Sequence, residues 1–287
     1  MNTLHKMVQG SAAWHEHRAK YRNASETAAV MGVSPWMTPH ELWLIKTGRK
    51  VVEETAPMRH GTQMEPAARA AFEEATDLIM QPQVVVDGEY SASLDGVTLN
   101  GDTLVEIKCP FKGQVSELWQ TVAKGNVPQH YWLQVQHQLM VSGATLAHLW
   151  VYDGNTGVDL IFAPDMPAFL KIQQAWDAFQ PYLDNDTPPP LTDQDTKPRT
   201  DAAWKEAADA YRGWKSVVDE AQAKADAAKA KLIEMATHSR EAGYGVAVTR
   251  FWKTGNVDYK RVPELQGVDL ELYRGVMREE VRVTIAT

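Results

Sequence analysis

The stretch from Ser91 to Lys108 constrains this chain more than any other. Asn100-Gly101 is a strong hairpin signal, because a two-residue type I′ turn needs positive φ at both central positions. With that turn, Val97 faces Leu104 and Asp95 faces Glu106. Directly opposed side chains have Cβ atoms roughly 4.5–5.5 Å apart, so two carboxylates there repel unless a cation sits between them. Glu106 and Lys108 are two residues apart and share a face with Asp95; Ser91 and Ser93 fall on that face too. Val105 and Ile107 point the other way, into a core. A bulge at Gly96 would shift this register by one residue.

Asp, Glu and Lys converging without His or Cys suit a hard divalent cation, Mg²⁺ or Mn²⁺. Such a cation lowers the pKa of a water and clamps a phosphoryl oxygen. The lysine can orient that water or neutralise charge growing on the phosphate. The alternative is an exposed Glu106–Lys108 pair beside an unrelated Asp95.

Composition narrows the setting. The chain has 287 residues, 44% hydrophobic and 23% charged, which excludes intrinsic disorder and collagen-like repeats. A single cysteine, Cys109, excludes a disulfide framework and any four-cysteine zinc or iron–sulfur site. No apolar run approaches the roughly 18 residues of a membrane span. The first residues lack the apolar core of a secretory signal. A reduced, cytoplasmic setting is the expectation. The net charge of −8 lies wholly in residues 1–186, and residues 187–287 are neutral. That balance argues against a basic nucleic-acid coat. Thr187-Pro188-Pro189-Pro190 opens a stiff connector. The expected organisation is a core over 1–186, a Pro-rich linker over 187–200 and an extension over 201–287.

Element signals follow in order. Ser25 can cap a short helix through Met31. Thr38-Pro39-His40-Glu41 is a capping box for a helix to Thr47. A helix over about Gly61–Ala75 tolerates Pro66 only in its first turn. Strand-like sequence covers Gln83–Val86, Tyr90–Leu99 and Asp102–Lys108. A long helix covers about Val127–Ser142. Leu146–Tyr152 and Val158–Ala163 form a hairpin, and a helix over Pro167–Leu183 closes the core. This order predicts an α/β or α+β fold with a central mixed sheet flanked by helices. In the extension, Trp204, Ala208, Tyr211, Val218, Ala221 and Leu232 recur near helical spacing across Asp201–Glu241. That predicts a long arm or a helical hairpin. Tyr244–Trp252 and Glu280–Ile285 read as strands, a small β element.

Several motifs then occur in order: Trp14-His15-Glu16-His17-Arg18 with Ala24-Ser25, His60-Gly61-Thr62-Gln63-Met64-Glu65, Asp95-Gly96, Glu106-Ile107-Lys108-Cys109-Pro110-Phe111, and Tyr131-Trp132-Leu133-Gln134-Val135-Gln136. Together they resemble the phage lambda exonuclease / YqaJ-type viral recombinase nucleases, a family of the PD-(D/E)XK superfamily. The resemblance runs from Trp14 to about Tyr152. It departs at Leu94, where the superfamily usually has proline.

The resemblance implies a PD-(D/E)XK core. Asp95, Glu106 and the backbone carbonyl of Ile107 would be metal ligands, with two Mg²⁺ or Mn²⁺ ions expected per site. Lys108 would be the catalytic lysine, Glu65 would bind or support the metal, and Gln134 would complete the wall. Tyr131, on the helical face of Gln134, would contact the DNA. Arg18 and Ser25 would hold a 5′-terminal phosphate, with Ser93 also at the DNA. Trp14, Trp36 and Trp132 are candidates to stack on DNA. The implied activity is 5′→3′ digestion of one strand at linear double-stranded DNA ends, leaving a 3′ overhang. The implied partners are a single-strand annealing protein and other copies of this chain in a closed ring, a trimer before a tetramer. The implied source is a phage or prophage in a bacterial host. Two alternatives remain: another PD-(D/E)XK endonuclease, or a non-catalytic DNA-binding recombination scaffold.

Overall fold

The computed structural model describes residues 3–5, 11–256, 258–268, 270–273 and 275. Contacts divide the chain into two units, Met1–Thr196 and Lys197–Thr287.

The first unit runs β1 (Thr3–His5), α1 (Ala12–Lys20), β2 (Arg22–Asn23), α2 (Thr27–Val30), α3 (Pro39–Lys46), α4 (Ala56–Thr76), β3 (Gln81–Asp87), β4 (Tyr90–Val97), β5 (Thr103–Lys108), α5 (Glu117–Val122), α6 (Gln129–Ser142), β6 (Leu146–Tyr152), β7 (Gly157–Phe162) and α7 (Met166–Asp184). The strands form one sheet in the order β1-β3-β4-β5-β6-β7, with β2 alongside β4. β5 pairs parallel with β6 and antiparallel with β4. The sheet is therefore mixed and flanked by helices, as the order of signals predicts. The β5–β6 crossover carries α5 and α6, because parallel neighbours cannot be joined by a tight turn.

The two faces of β5 separate the core. Val105 and Ile107 pack with Ala68 and Phe72 of α4. Leu104 packs with Val135 and Leu139 of α6. Glu106 and Lys108 alternate onto the α6 side with Leu104.

The β4–β5 register is the expected one, with Val97 opposite Leu104 and Gly96 opposite Val105. The turn differs. Thr98 N–H bonds the Thr103 carbonyl at 2.9 Å, which leaves a four-residue loop. Gly101 has φ +78°, whereas Asn100 keeps negative φ, so there is no type I′ turn. Thr98 Oγ1 donates to Asp102 Oδ1 at 2.9 Å and accepts from Thr103 N–H at 3.1 Å, bonds that favour the longer loop.

A bulge lies on the other edge of β4. Leu94 pairs with Gln83 and Val97 with Gln81, so β4 carries one extra residue there. Ala92 and Leu94 consequently pack into the core under α6. Ser91 and Ser93 therefore alternate away from the face that Asp95 shares with Glu106, which corrects the expected placement of both serines.

Three helical expectations change. α4 starts at Ala56, where Thr55 Oγ1 accepts from Met58 N–H, and Pro66 sits in mid-helix, far past the first turn. Ser25 lies inside a 3₁₀ turn and caps nothing; its hydroxyl accepts from Arg18 Nη2 at 3.0 Å. Thr38 caps α3 by accepting from Glu41 N–H at 3.0 Å, while the Glu41 carboxylate turns outward to Lys50. The segment after the proline triplet is fastened to the first unit. Thr38 Oγ1 donates to Asp195 Oδ1, and Gln194 Nε2 donates to the Ser34 carbonyl at 3.2 Å.

The second unit is one uninterrupted helix, α8 (Ala202–Met235), followed by the hairpin β8 (Arg240–Gly243) and β9 (Val246–Thr249). The helical-hairpin alternative is excluded, and the expected strand over Tyr244–Trp252 is confined to β9. The strand expected over Glu280–Ile285 lies outside the described residues.

Candidate active site

Four elements converge at the C-terminal end of β5. Asp95 comes from β4, Glu106 and Lys108 from β5, Glu65 from α4, and Tyr131, Gln134 and Gln138 from α6.

Glu106 is the hub. It is 2% exposed. Its Oε1 accepts from Gln134 Nε2 at 2.7 Å and from Lys108 Nζ. Its Oε2 accepts from Gln138 Nε2, which also donates to the Ser93 carbonyl at 3.3 Å. A buried carboxylate is costly unless so satisfied. Gln138 was not among the expected residues. Its signal was its position four residues after Gln134, which places both amides on one helical face.

Asp95 Oδ2 accepts from Ile107 N–H at 2.8 Å. Burial pushes the Asp95 carboxyl well above the usual range, and Glu106 and Glu65 push it further up. Burial also raises Glu65, whose Oε1 meets Arg69 Nη2 at 3.4 Å. The Lys108 ammonium is disfavoured by burial but held up, above its usual value, by Glu106 and Asp95. Its Nζ sits 5.3 Å from the Tyr131 ring centroid. Burial raises the Tyr131 phenol against the opposing pull of Lys108. Burial likewise pushes the half-buried Cys109 thiol up to about 11. Trp36 is 65% exposed and stands 5.8 Å from Tyr131, ring to ring.

Among the described residues, no group of three or more His, Cys, Asp or Glu side chains is placed to hold a metal ion. Asp95, Glu106 and the Ile107 carbonyl are nonetheless hard oxygen donors, the kind a divalent cation takes beside its own waters. Burial is the main cause of the raised Asp95, and repulsion from Glu106 and Glu65, only partly offset by Lys108, adds to it; a cation there would oppose that repulsion.

Arg18 and Ser25 form a second cluster. Arg18 Nη2 donates to Ser25 Oγ at 3.0 Å and to Glu26 Oε1 at 2.9 Å, and its guanidinium lies 4.7 Å from the Trp14 ring. Glu26 is buried and also pairs with Lys46 at 2.7 Å. Lys46 and Arg18 hold the Glu26 carboxyl below its usual range, overcoming its burial. The structure thus brings Arg18 to Ser25 as expected. Ser93 contributes its carbonyl, not its hydroxyl, to the Glu106 network. Trp132 packs in the core with Leu133 and Trp176.

The sequence of these elements has a counterpart. Residues 13–145 match the family model of the YqaJ-like viral recombinase domain. The matched segment runs from the second residue of α1 through α6 and holds every site residue described above. It is 28% identical over 137 residues to the uncharacterized protein YqaJ of Bacillus subtilis (strain 168), a match covering 45% of this chain and 42% of that protein. The chain therefore aligns with less than half the length of this curated relative. The fold is similar to the alkaline exonuclease LHK-Exo of Laribacter hongkongensis, with a TM-score of 0.53 and 24% identity, over 62% of this chain and 94% of that one. The same exonuclease in complex with dAMP gives a TM-score of 0.52 and 23% identity, with the same coverage. Among the described residues, no helix is long and apolar enough to cross a membrane.

Proposed function

We propose that this chain is a metal-dependent exodeoxyribonuclease that digests one strand of linear duplex DNA 5′→3′ and leaves a 3′ overhang for strand-annealing recombination. The observation that carries this is the convergence of Asp95, Glu106 and Lys108 on one site closed by Gln134. The YqaJ-like match and the fold shared with an alkaline exonuclease support it.

Asp95, Glu106 and the Ile107 carbonyl would hold two Mg²⁺ or Mn²⁺ ions, with Glu65 in support. Such an ion supplies an activated water and offsets charge on the phosphoryl oxygens. Lys108 orients the attacking water and stabilises the negative charge that grows on the phosphate. Gln134 and Gln138 fix the Glu106 carboxylate so that its oxygens do not rotate away. Tyr131 walls the site beside Lys108. Arg18, with Ser25, receives the 5′-terminal phosphate through a guanidinium fork. A closed ring of subunits, three before four, would convert weak single contacts into sustained tracking. An annealing protein would then receive the overhang, in the cytoplasm of a bacterium carrying the phage or prophage.

The test is digestion of linear duplex with Mg²⁺, with and without a 5′-phosphate, beside closed circular DNA. Wild type should degrade the linear 5′-phosphorylated duplex, spare the circle and stop on chelation. Lys108→Ala should be inactive. Equal activity of Lys108→Ala, or cutting of the closed circle, overturns this reading, the latter in favour of an endonuclease.

A further inference from the structure

α8 buries none of its 34 residues, yet it is not a polar helix. From Trp204 to Met235, steps of three and four residues alternate strictly, and every step lands on an apolar residue. That is an unbroken heptad seam sustained over more than four heptads, the spacing of a left-handed coiled coil. Trp214 is 72% exposed and Val218 59% exposed on it. A helix of this length spans about 50 Å. Only another long helix covers such a stripe along its whole length.

We propose that the seam pairs with the same helix of a second copy of this chain, antiparallel, about a two-fold axis between Val218 and Ala221. In that register every bulky residue of the middle meets a small one. Trp214 meets Ala225, Tyr211 meets Ala228, and Leu232 meets Ala207. Val218 meets Ala221 beside the axis, and Trp204 meets Met235 at the ends. Large-against-small layers interdigitate without voids or clashes. A parallel, in-register pair instead stacks Trp204 on Trp204, Trp214 on Trp214, and alanine on alanine at 221, 225 and 228.

The charged residues flanking the seam are lysines: Lys215, Lys224, Lys229 and Lys231. A parallel pair sets Lys224 against Lys229 of the other helix, a like-charge contact. In the antiparallel pair Lys224 and Lys231 fall beside Ala210 and Ala203, while Lys215 and Lys229 share the other flank. The antiparallel arrangement also opposes the two helix dipoles favourably. The contact is isologous, so it closes at two copies; combined with a cyclic ring it joins two rings. It stands independently of the nuclease reading.

Two measurements on the full chain test it. First, the mass in solution should correspond to an even number of chains and halve with Val218→Asp. Six falls to three if a three-membered ring also forms, and two falls to one if it does not. Second, differently tagged Trp214→Cys and Ala225→Cys chains, co-expressed and oxidised, should form a mixed disulfide, while neither variant alone cross-links. Positions 214 of the two copies lie about 16 Å apart in the antiparallel pair. A mass indifferent to Val218→Asp, absence of the mixed disulfide, or self-cross-linking of Ala225→Cys overturns the proposal. Digestion of linear duplex by the Val218→Asp chain reports the nuclease reading separately.

Discussion

The backbone N–H of Ile107 donates to Asp95 Oδ2 across 2.8 Å. This bond joins β4 to β5 just beyond their last ladder pair, Gly96 with Val105. Asp95 is thereby aimed at the strand end where Glu106 and Lys108 sit, although the bulge has loosened its own strand. The geometry of the acidic pair then depends on backbone placement as much as on the side chains.

Gly96 is the residue most exposed to that dependence. A Cβ at this position would lie 2.8 Å from Met80 Cβ and from Val105 Cγ1. Gly96→Ala should cost about 1–3 kcal/mol of stability, as overpacked cores do. Because Asp95 moves with it, activity on linear duplex should fall more than stability does at a temperature where the variant remains folded. Denaturant midpoints and initial rates measured side by side check this; full activity in a destabilised variant would contradict the coupling.

Gln138→Ala removes the donor to Glu106 Oε2 and to the Ser93 carbonyl. Leaving a buried carboxylate oxygen unsatisfied costs roughly 1–3 kcal/mol. The chain should melt at a lower temperature and lose activity. Gln138→Glu should be worse on both counts without added divalent cation, since it places a like charge against Glu106.

His137 predicts acid lability. It is fully buried, and its Nδ1 shares a 2.6 Å bond with Thr27 Oγ1. Burial pushes its pKa down to about 3 from an ordinary 6.5. Above the ordinary value both folded and unfolded chains carry it neutral. Below that value only the unfolded chain binds the proton, so stability falls as pH drops from about 6.5 towards 3, by up to ~1.4 kcal/mol per pH unit. His137→Gln should start less stable and show a flatter slope in urea unfolding over that interval. An unchanged slope would remove His137 as the cause.

Arg18→Ala should erase discrimination between 5′-phosphorylated and 5′-hydroxyl duplex. A bond to a charged group is worth about 1.5–3 kcal/mol, or roughly 10–100-fold in rate ratio. Arg18→Lys should recover only part of it, because an ammonium lacks the fork. A wild-type chain indifferent to the phosphate would sink the assignment of this cluster.

What could be read beforehand follows from what is local. The pairing of Val97 with Leu104 was legible because the alternation on either side of Asn100-Gly101 admits few registers. The loop type was not, since the bonds from Thr98 to Asp102 and Thr103 compete with a tighter turn. The bulge between Leu94 and Val97 depends on β3, a partner the local sequence does not specify, and it separates the face of Ser93 from that of Asp95. α4 begins at Ala56 rather than near Gly61 because Thr55 supplies the cap; Pro66 is accommodated within 21 residues of helix packed through Ala68 and Phe72. Ser25 looked like a cap, but Arg18 claims its hydroxyl. The Glu26–Lys46 pair beside Arg18 left no local trace, because its members come from separate helices.

The connectivity around β5 has a consequence for the order of folding. Asp95, Glu106 and Lys108 lie on a hairpin closed by a four-residue loop, a structure that forms in microseconds. Gln134 and Gln138 lie 28 and 32 residues beyond Glu106, on the crossover that must close before β6 can pair in parallel. Such non-local closure is slow. The carboxylates are therefore gathered while still bathed in water, and their desolvation waits for α6 to dock. That docking strengthens the repulsion between Asp95 and Glu106, because it removes the water that screened them, so a divalent cation bound as proposed above should speed refolding.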